Sequence, residues 1–294
     1  MTFSIVAIDK EKRETGFAIS SCSWNSGQVG LAKANIGSIV SQARGNMIFK
    51  AKFFEKLSEN MSLDQILEHF REIDDDIEHR QVGMITLDGQ VLSFTGKKCA
   101  YWAGQKTGED YACQGNILVG PEVIDKMVEA FTGTVGDLLD RLYASLQAGD
   151  NAGGDARGKQ SARVYVVSKN GWMPGEDMII DITVEDHAEP VKEVGRIIKT
   201  GRNMLKTYQL TMEIDNSSGE AKLAATQRLE QYLKGREDRA FVDAWSTLAS
   251  TQLELGLTEK AVSSYRKVLE ISPNMIELFK RRIDRHELPK EVLE

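Results

Sequence analysis

The sequence predicts an α+β protein: two antiparallel sheets packed face to face with helices outside them, followed by a small all-helical domain. Three observations carry this. Short apolar runs of strand period come in groups, helical patterns arrive in pairs between those groups, and from about Glu220 onward only helical periodicity remains.

The first strand is Thr2 to Ile8, a β-rich run of Phe, Ile and Val. A charged turn, Asp9 to Thr15, leads to a hairpin return over Gly16 to Cys22. The stretch Ser26 to Gly37 is broken by glycines and runs into a strand at Ser38 to Gln42. Two helices are expected next. One covers Asn46 to Leu57, with Met47, Phe53, Phe54 and Leu57 at helical spacing. The other is opened by Ser62 and places Leu63, Ile66, Leu67 and Phe70 on one face.

Strands resume at Gln81 to Leu87. Asp88-Gly89 is a hairpin turn from which Val91 to Thr95 returns, and a further strand covers Tyr111 to Leu118. Pro121 starts a helix to Phe131, and Val135 to Gln147 forms its partner. After a loop rich in Gly and Asp come two strands, Ala162 to Val167 and Asp177 to Val184. Pro190 begins a helix to about Leu205. The expected order is three strands, two helices, three strands, two helices, two strands.

In the tail, Trp245, Leu248, Ala249, Gly256, Ala261, Tyr265, Leu269 and Pro273 follow the tetratricopeptide pattern, with its turn glycine and terminal proline. Lys222 to Leu233 reads as a partner helix and Met275 to Arg282 as a cap. A single repeat does not bury its own apolar face, so the segment is expected to pack on the first domain or on a second copy, giving a homo-oligomer. The domains are set at 1–212 and 213–294.

Composition narrows the function classes. In 294 residues, 41% are hydrophobic and 28% charged, as in an ordinary globular protein. The net charge of −7 argues against nucleic acid as a partner, because displacing counterions needs clustered Lys and Arg. The run Lys280-Arg281-Arg282 is interspersed with acids and reads as a solvated helix face. Cys22, Cys99 and Cys113 lie in apolar stretches without metal or redox spacing, which suits a reducing compartment. No apolar run approaches the ~18 residues of a membrane span, and the N-terminus lacks a secretory pattern, so a cytoplasmic location is expected. His69, His79, His187 and His286 have no ligand spacing; neither a metal nor a cofactor is expected.

The densest polar motif is Ala148 to Ser161, with four glycines around Asp155, Arg157, Lys159 and Gln160. Gly153 through Lys159 has phosphate-loop spacing, but Gln160 stands where a magnesium-holding Ser or Thr belongs, and the segment leads into a strand. Nucleotide binding is rejected on both counts. Two readings stay open: a concave site offering an acceptor, a forked donor and an amide, or a turn held by an Asp155–Arg157 pair. Arg80-Gln81 and Gln114-Gly115-Asn116 place polar groups in strands, where they either line a cleft between sheets or pin backbone. No Gly-x-Ser-x-Gly elbow is present.

Thr2 offers a different nucleophile. A small residue at position two favours removal of Met1, which leaves a hydroxyl and an α-amine on one residue. The amine, with an ordinary pKa near ~8, can act as base for that hydroxyl.

Several motifs together resemble the bacterial family called domain of unknown function 1028, over residues 2 to about 205. They are Thr2-Phe3-Ser4-Ile5-Val6-Ala7, Arg80-Gln81-x-Gly83, Phe94-Thr95-Gly96, Trp102-Ala103-Gly104, Tyr111-x-x-Gln114-Gly115-Asn116, and the glycine loop Ala148 to Ser161. That family resembles the N-terminal nucleophile hydrolases, whose fold is a four-layer αββα sandwich. The resemblance implies an amidohydrolase in which Thr2 attacks a small amide or peptide-like substrate and Lys33 tunes the nucleophile. Arg80, Gln81, Gln114, Asn116, Asp155, Arg157 and Gln160 are then the candidate substrate-binding residues. The chain departs from the family at Gln42-Ala43-Arg44-Gly45-Asn46, where a Thr-Asn-Pro segment often follows Gln-Ala, and in its tetratricopeptide-like tail. The alternative is a non-catalytic ligand-binding or scaffold protein that uses the tail for assembly.

Overall fold

Alternation along the first hairpin sets the layering. In β1 (Thr2–Asp9) and β2 (Glu14–Ser21), paired with Ala7 opposite Gly16, the residues Val6, Ile8, Phe17 and Ile19 all fall on one face. They share a buried cluster with Ala32, Val40 and Ile85 of a second sheet and with Leu87 just after it. The computed structural model describes residues 2–171 and 175–294; Met1 lies outside the described residues.

The remaining strands are β3 (Gly30–Lys33), β4 (Gly37–Ala43), β5 (Arg80–Thr86), β6 (Val91–Thr95), β7 (Trp102–Thr107), β8 (Tyr111–Leu118), β9 (Ser161–Ser168) and β10 (Met178–Val184). All pairings are antiparallel. One sheet has the order β10-β9-β2-β1-β8-β7 and the other β3-β4-β5-β6.

Helices α1 (Ile48–Ser58) and α2 (Leu63–Ile73) cover the four-stranded sheet. Phe49, Phe53, Ile66 and Phe70 pack with Ile39, Val82 and Met84, and the rings of Phe49 and Phe70 stack at 4.0 Å. Ser62 caps α2 in a reciprocal box with Gln65. Helices α3 (Glu122–Gly133) and α4 (Leu138–Asn151) pack together, and α4 lies on β1 and β2 of the six-stranded sheet. The mixed α+β class with antiparallel sheets is as the sequence predicts.

Two strands escaped the pattern reading. β3 has four residues inside the glycine-broken stretch, and β7 is an edge strand whose last three residues are exposed. Neither carries enough buried apolar residues to show a period of two. The order is therefore four strands, two helices, four strands, two helices, two strands.

The chain divides into two compact units between Ile197 and Ile198. This point lies inside one long helix, α5 (Pro190–Asp215), which outruns the predicted end at Leu205 and also contains the 212/213 division set from the sequence. The second unit continues with α6 (Gly219–Leu233), α7 (Val242–Glu254), α8 (Thr258–Ile271) and α9 (Ile276–Asp284). Its core gathers Leu229, Leu233, Trp245, Leu248, Tyr265, Val268 and Phe279. Gly256, at a φ of 74°, turns α7 into α8, and Trp245 Nε1 donates to the carbonyl of Arg236 at 2.9 Å. Among the described residues no helix is long and apolar enough to cross a membrane.

Candidate functional site

Thr2 opens β1 between two neighbours. Its register partner on β8 is Asn116, and the adjacent pair Phe3–Ser20 places Ser21 of β2 beside it. Strand alternation puts Thr2 on the same face as Ser4, the face turned to the other sheet. Its side chain is largely buried, and its hydroxyl donates to the Ser21 hydroxyl at 3.2 Å. The main-chain carbonyl of Thr2 accepts from Gln42 Nε2 at 3.4 Å and Asn116 Nδ2 at 3.5 Å.

Below Thr2, side-chain amides tie the two sheets together. Gln42 Nε2 donates to Gln81 Oε1 at 2.7 Å, and Asn116 Nδ2 donates to the same oxygen at 3.0 Å. Gln81 Nε2 donates to Thr95 Oγ1 and to the carbonyl of Gly115, both at 2.8 Å. Gln114 Nε2 donates to Ser4 Oγ at 2.7 Å, Ser4 Oγ donates to Gln42 Oε1 at 2.7 Å, and Gln114 Oε1 accepts from Ser93 Oγ at 3.1 Å. Gln42, Gln81, Gln114 and Asn116 are buried. A buried amide must be bonded, and these satisfy one another. Gln81 and Gln114 are thus internal ties between sheets instead of residues lining an open cleft.

The glycine loop buttresses the Thr2 end. The Asp155 carboxylate accepts from the main-chain N–H of Cys22 at 2.8 Å and from that of Arg157 at 2.9 Å, while Arg157 Nη2 lies 3.3 Å from Asp155 Oδ2. The Asp155–Arg157 pair is the turn-holding arrangement of the two left open by the sequence. By fixing Cys22 it also fixes Ser21 against Thr2. Gln160 donates its main-chain N–H to the carbonyl of Ser21 at 3.2 Å and turns its amide to Asp186 at 3.3 Å.

Lys33 is not brought to this cluster. It pairs with Gly37 at the other end of the four-stranded sheet, and its Nζ sits 4.5 Å from the centre of the Phe54 ring. Gly37 and Gln42, five residues apart on β4, are separated by roughly 17 Å at about 3.4 Å per residue. Sequence position alone did not reveal that β3 runs away from Thr2.

Arg80 is likewise occupied. Its Nε donates to Asp74 Oδ2 at 3.0 Å and its Nη1 to the carbonyl of Arg44. Burial alone would raise the Asp74 carboxyl, but bonds from Arg80, Asn46 and the Asp76 N–H outweigh it and hold the pKa below its ordinary 3.8. A depressed carboxyl gives stability that is present above the unfolded-state pKa and is lost as pH falls through the folded-state value. Asp74→Asn is therefore expected to cost about 2 kcal/mol at neutral pH. In urea unfolding, the gap to wild type should narrow as pH drops below about 4. A gap independent of pH would show that the charge of Asp74 does not matter.

Arg80 thereby anchors one wall of a cavity of about 350 Å³ lined by Ala43, Arg44, His79, Lys98, Cys99, Ala100, Asn116 and Ile117. Asn116 connects this cavity to Thr2. Two lining residues hold left-handed backbone, Ala43 at a φ of 68° and Ile117 at 52°. For a β-branched isoleucine this is a strained state, sustained by the bonds of Ile117 N–H to Ala100 and of Ala156 N–H to Ile117. Burial pushes the Cys99 thiol up, so it stays protonated at neutral pH. Sequence reasoning placed none of Arg44, Lys98 and Cys99 in a site, and read Cys99 only as a cysteine of an apolar stretch. The only signal was the departing segment Ala43-Arg44-Gly45, which forms part of this wall.

A family model described as a family of unknown function, DUF1028, matches residues 2–194. The crystal structure of protein SPO2555 from Silicibacter pomeroyi, assigned to the same family model, is similar with a TM-score of 0.61 and 25% sequence identity. The match covers 67% of this chain and 88% of that chain. No curated protein matches. Thr2, the amide ties, the glycine loop and the cavity all fall within the matched span, and helices α6 to α9 follow it. The chain belongs to the family of unknown function DUF1028.

Proposed function

We propose that the first unit is an amide-bond hydrolase of the N-terminal nucleophile type, with the two sheets and their helix pairs as its αββα sandwich. The observation that carries this is the placement of Thr2. It starts a central strand, its hydroxyl is held by Ser21, and its strand partner Asn116 lines the adjoining cavity. With Met1 removed, the Thr2 hydroxyl attacks the substrate carbonyl and its proton passes to the Thr2 amine. That amine then protonates the leaving nitrogen, and water hydrolyses the acyl ester on Thr2. Ser21 is the side chain that orients the hydroxyl in this scheme, and Lys33 has no part in it.

The second unit is read as a tetratricopeptide-like segment centred on α7 and α8, with the turn at Gly256 in support. Self-association through it belongs to the same proposal. A monomer mass by light scattering of the full chain would remove that part.

The experiment that tests the catalytic reading is the intact mass of untagged protein, followed by a screen of small amides. Loss of Met1 together with release of amine from at least one amide is the expected result. A retained methionine disarms Thr2, and ligand binding without turnover becomes the better reading of the cavity.

A further inference from the structure

We infer that the cavity beside Thr2 takes the carboxylate of an N-acylated amino acid, held by Arg44 and Lys98, so that the amide cleaved is the acyl linkage. This names the substrate class of the proposed hydrolase and rests on that reading.

The lining is basic in a chain whose net charge is −7. It contains Arg44, Lys98 and His79, and no Asp or Glu. Neither Arg44 nor Lys98 has an ion-pair partner among the described residues, whereas three acids of the neighbouring segment, Asp74, Asp76 and Glu78, are engaged elsewhere. Asp74 is held by Arg80 and Asn46, and Glu78 accepts the N–H of Lys97 and lies 3.7 Å from Arg71. Asp76 faces His79 at 3.5 Å and Arg80 at 3.9 Å. Two unpaired cations at the rim of one concavity supply a site for an anion, and the guanidinium fork matches a carboxylate.

The volume, about 350 Å³, is at the small end of ligand pockets, which suits an acylated amino acid better than a long peptide. The wall is fixed before any ligand arrives. Arg44 accepts from Arg80 through its carbonyl and donates its N–H to the carbonyl of His79 at 3.3 Å. Register supplies the direction. Ala43 and Arg44 follow Gln42, which bonds the carbonyl of Thr2, and Asn116 is the strand partner of Thr2. A carboxylate on Arg44 and Lys98 therefore leaves the acyl end of a short ligand toward Thr2.

The test uses the full chain and matched pairs of probes: N-acetyl amino acids and the same compounds with the carboxylate converted to a primary amide. Binding is measured by titration calorimetry, and hydrolysis by release of the free amine. At least one acid should bind tenfold or more tightly than its amide partner. Arg44→Gln with Lys98→Gln should erase that difference, while Arg44→Lys with Lys98→Arg should keep most of it. Binding that shows this dependence without hydrolysis upholds the carboxylate site and defeats the catalytic reading. Hydrolysis indifferent to the carboxylate, or to Arg44 and Lys98, overturns the inference and leaves the hydrolase standing. Failure of every acid to bind also overturns it.

Discussion

Thr2→Ala is expected to lower amide hydrolysis by about ten-thousandfold or more, the scale on which loss of a nucleophile is felt when the rest of a site survives. Stability should barely change. The lost group donates a hydrogen bond to the Ser21 hydroxyl at the end of a strand, worth about 1 kcal/mol. The backbone pairing of Thr2 with Asn116 and the bonds to its carbonyl do not depend on the side chain. Thr2→Ser, which keeps both hydroxyl and amine, should retain turnover within roughly tenfold. Rates on the best amide of the screen, alongside thermal melting, check all three statements. Full activity in the alanine variant would remove Thr2 from the chemistry. A large drop in melting temperature would mean that the hydroxyl supports the fold instead.

What the sequence made legible was whatever depends on local pattern. The hairpin at Asp88-Gly89, the cap at Ser62 and the paired helices with phenylalanine faces follow from turn chemistry and periodicity, and they stand in the structure. Thr2 could be singled out because its chemistry depends on position in the chain. The roles of Gln81 and Gln114 could not be read, because an amide in a strand looks the same whether it meets a ligand or another amide across the core. Only the sheet-to-sheet register decides. Lys33 was misplaced for a related reason: β3 is short, and the direction in which it carries a side chain is set by pairing with β4. The cavity draws on segments far apart in sequence, namely 43–44, 79, 98–100 and 116–117, so no local window contains it.

Gly83→Ala tests whether the buried amides hold the sheets together. Gly83 lies on the inner face of β5, two residues from Gln81, with the Gln114 amide against it. A Cβ there would stand 2.3 Å from Gln114 Oε1, 2.5 Å from Cδ and 2.6 Å from Nε2. A glutamine tip at the surface would swing aside, but Gln114 is fully buried and is held by Ser4 and Ser93. Moving it strips the buried Gln114 amide of these bonds, while Ser4 keeps Gln42 and Ser93 keeps the carbonyl of Val82 at 3.4 Å. Overpacking of about 1–3 kcal/mol adds to about 1–3 kcal/mol for a buried partner left unbonded. The expected loss is about 4 kcal/mol, or roughly 10 °C in melting temperature for a unit of this size. Gln114→Ala removes the obstruction at its own cost. If the clash is the cause, the double variant should be more stable than the sum of the two single losses predicts, by about 1 kcal/mol or more. Strict additivity would mean that Gly83 is required for its backbone alone, and that the amide network does not respond to it.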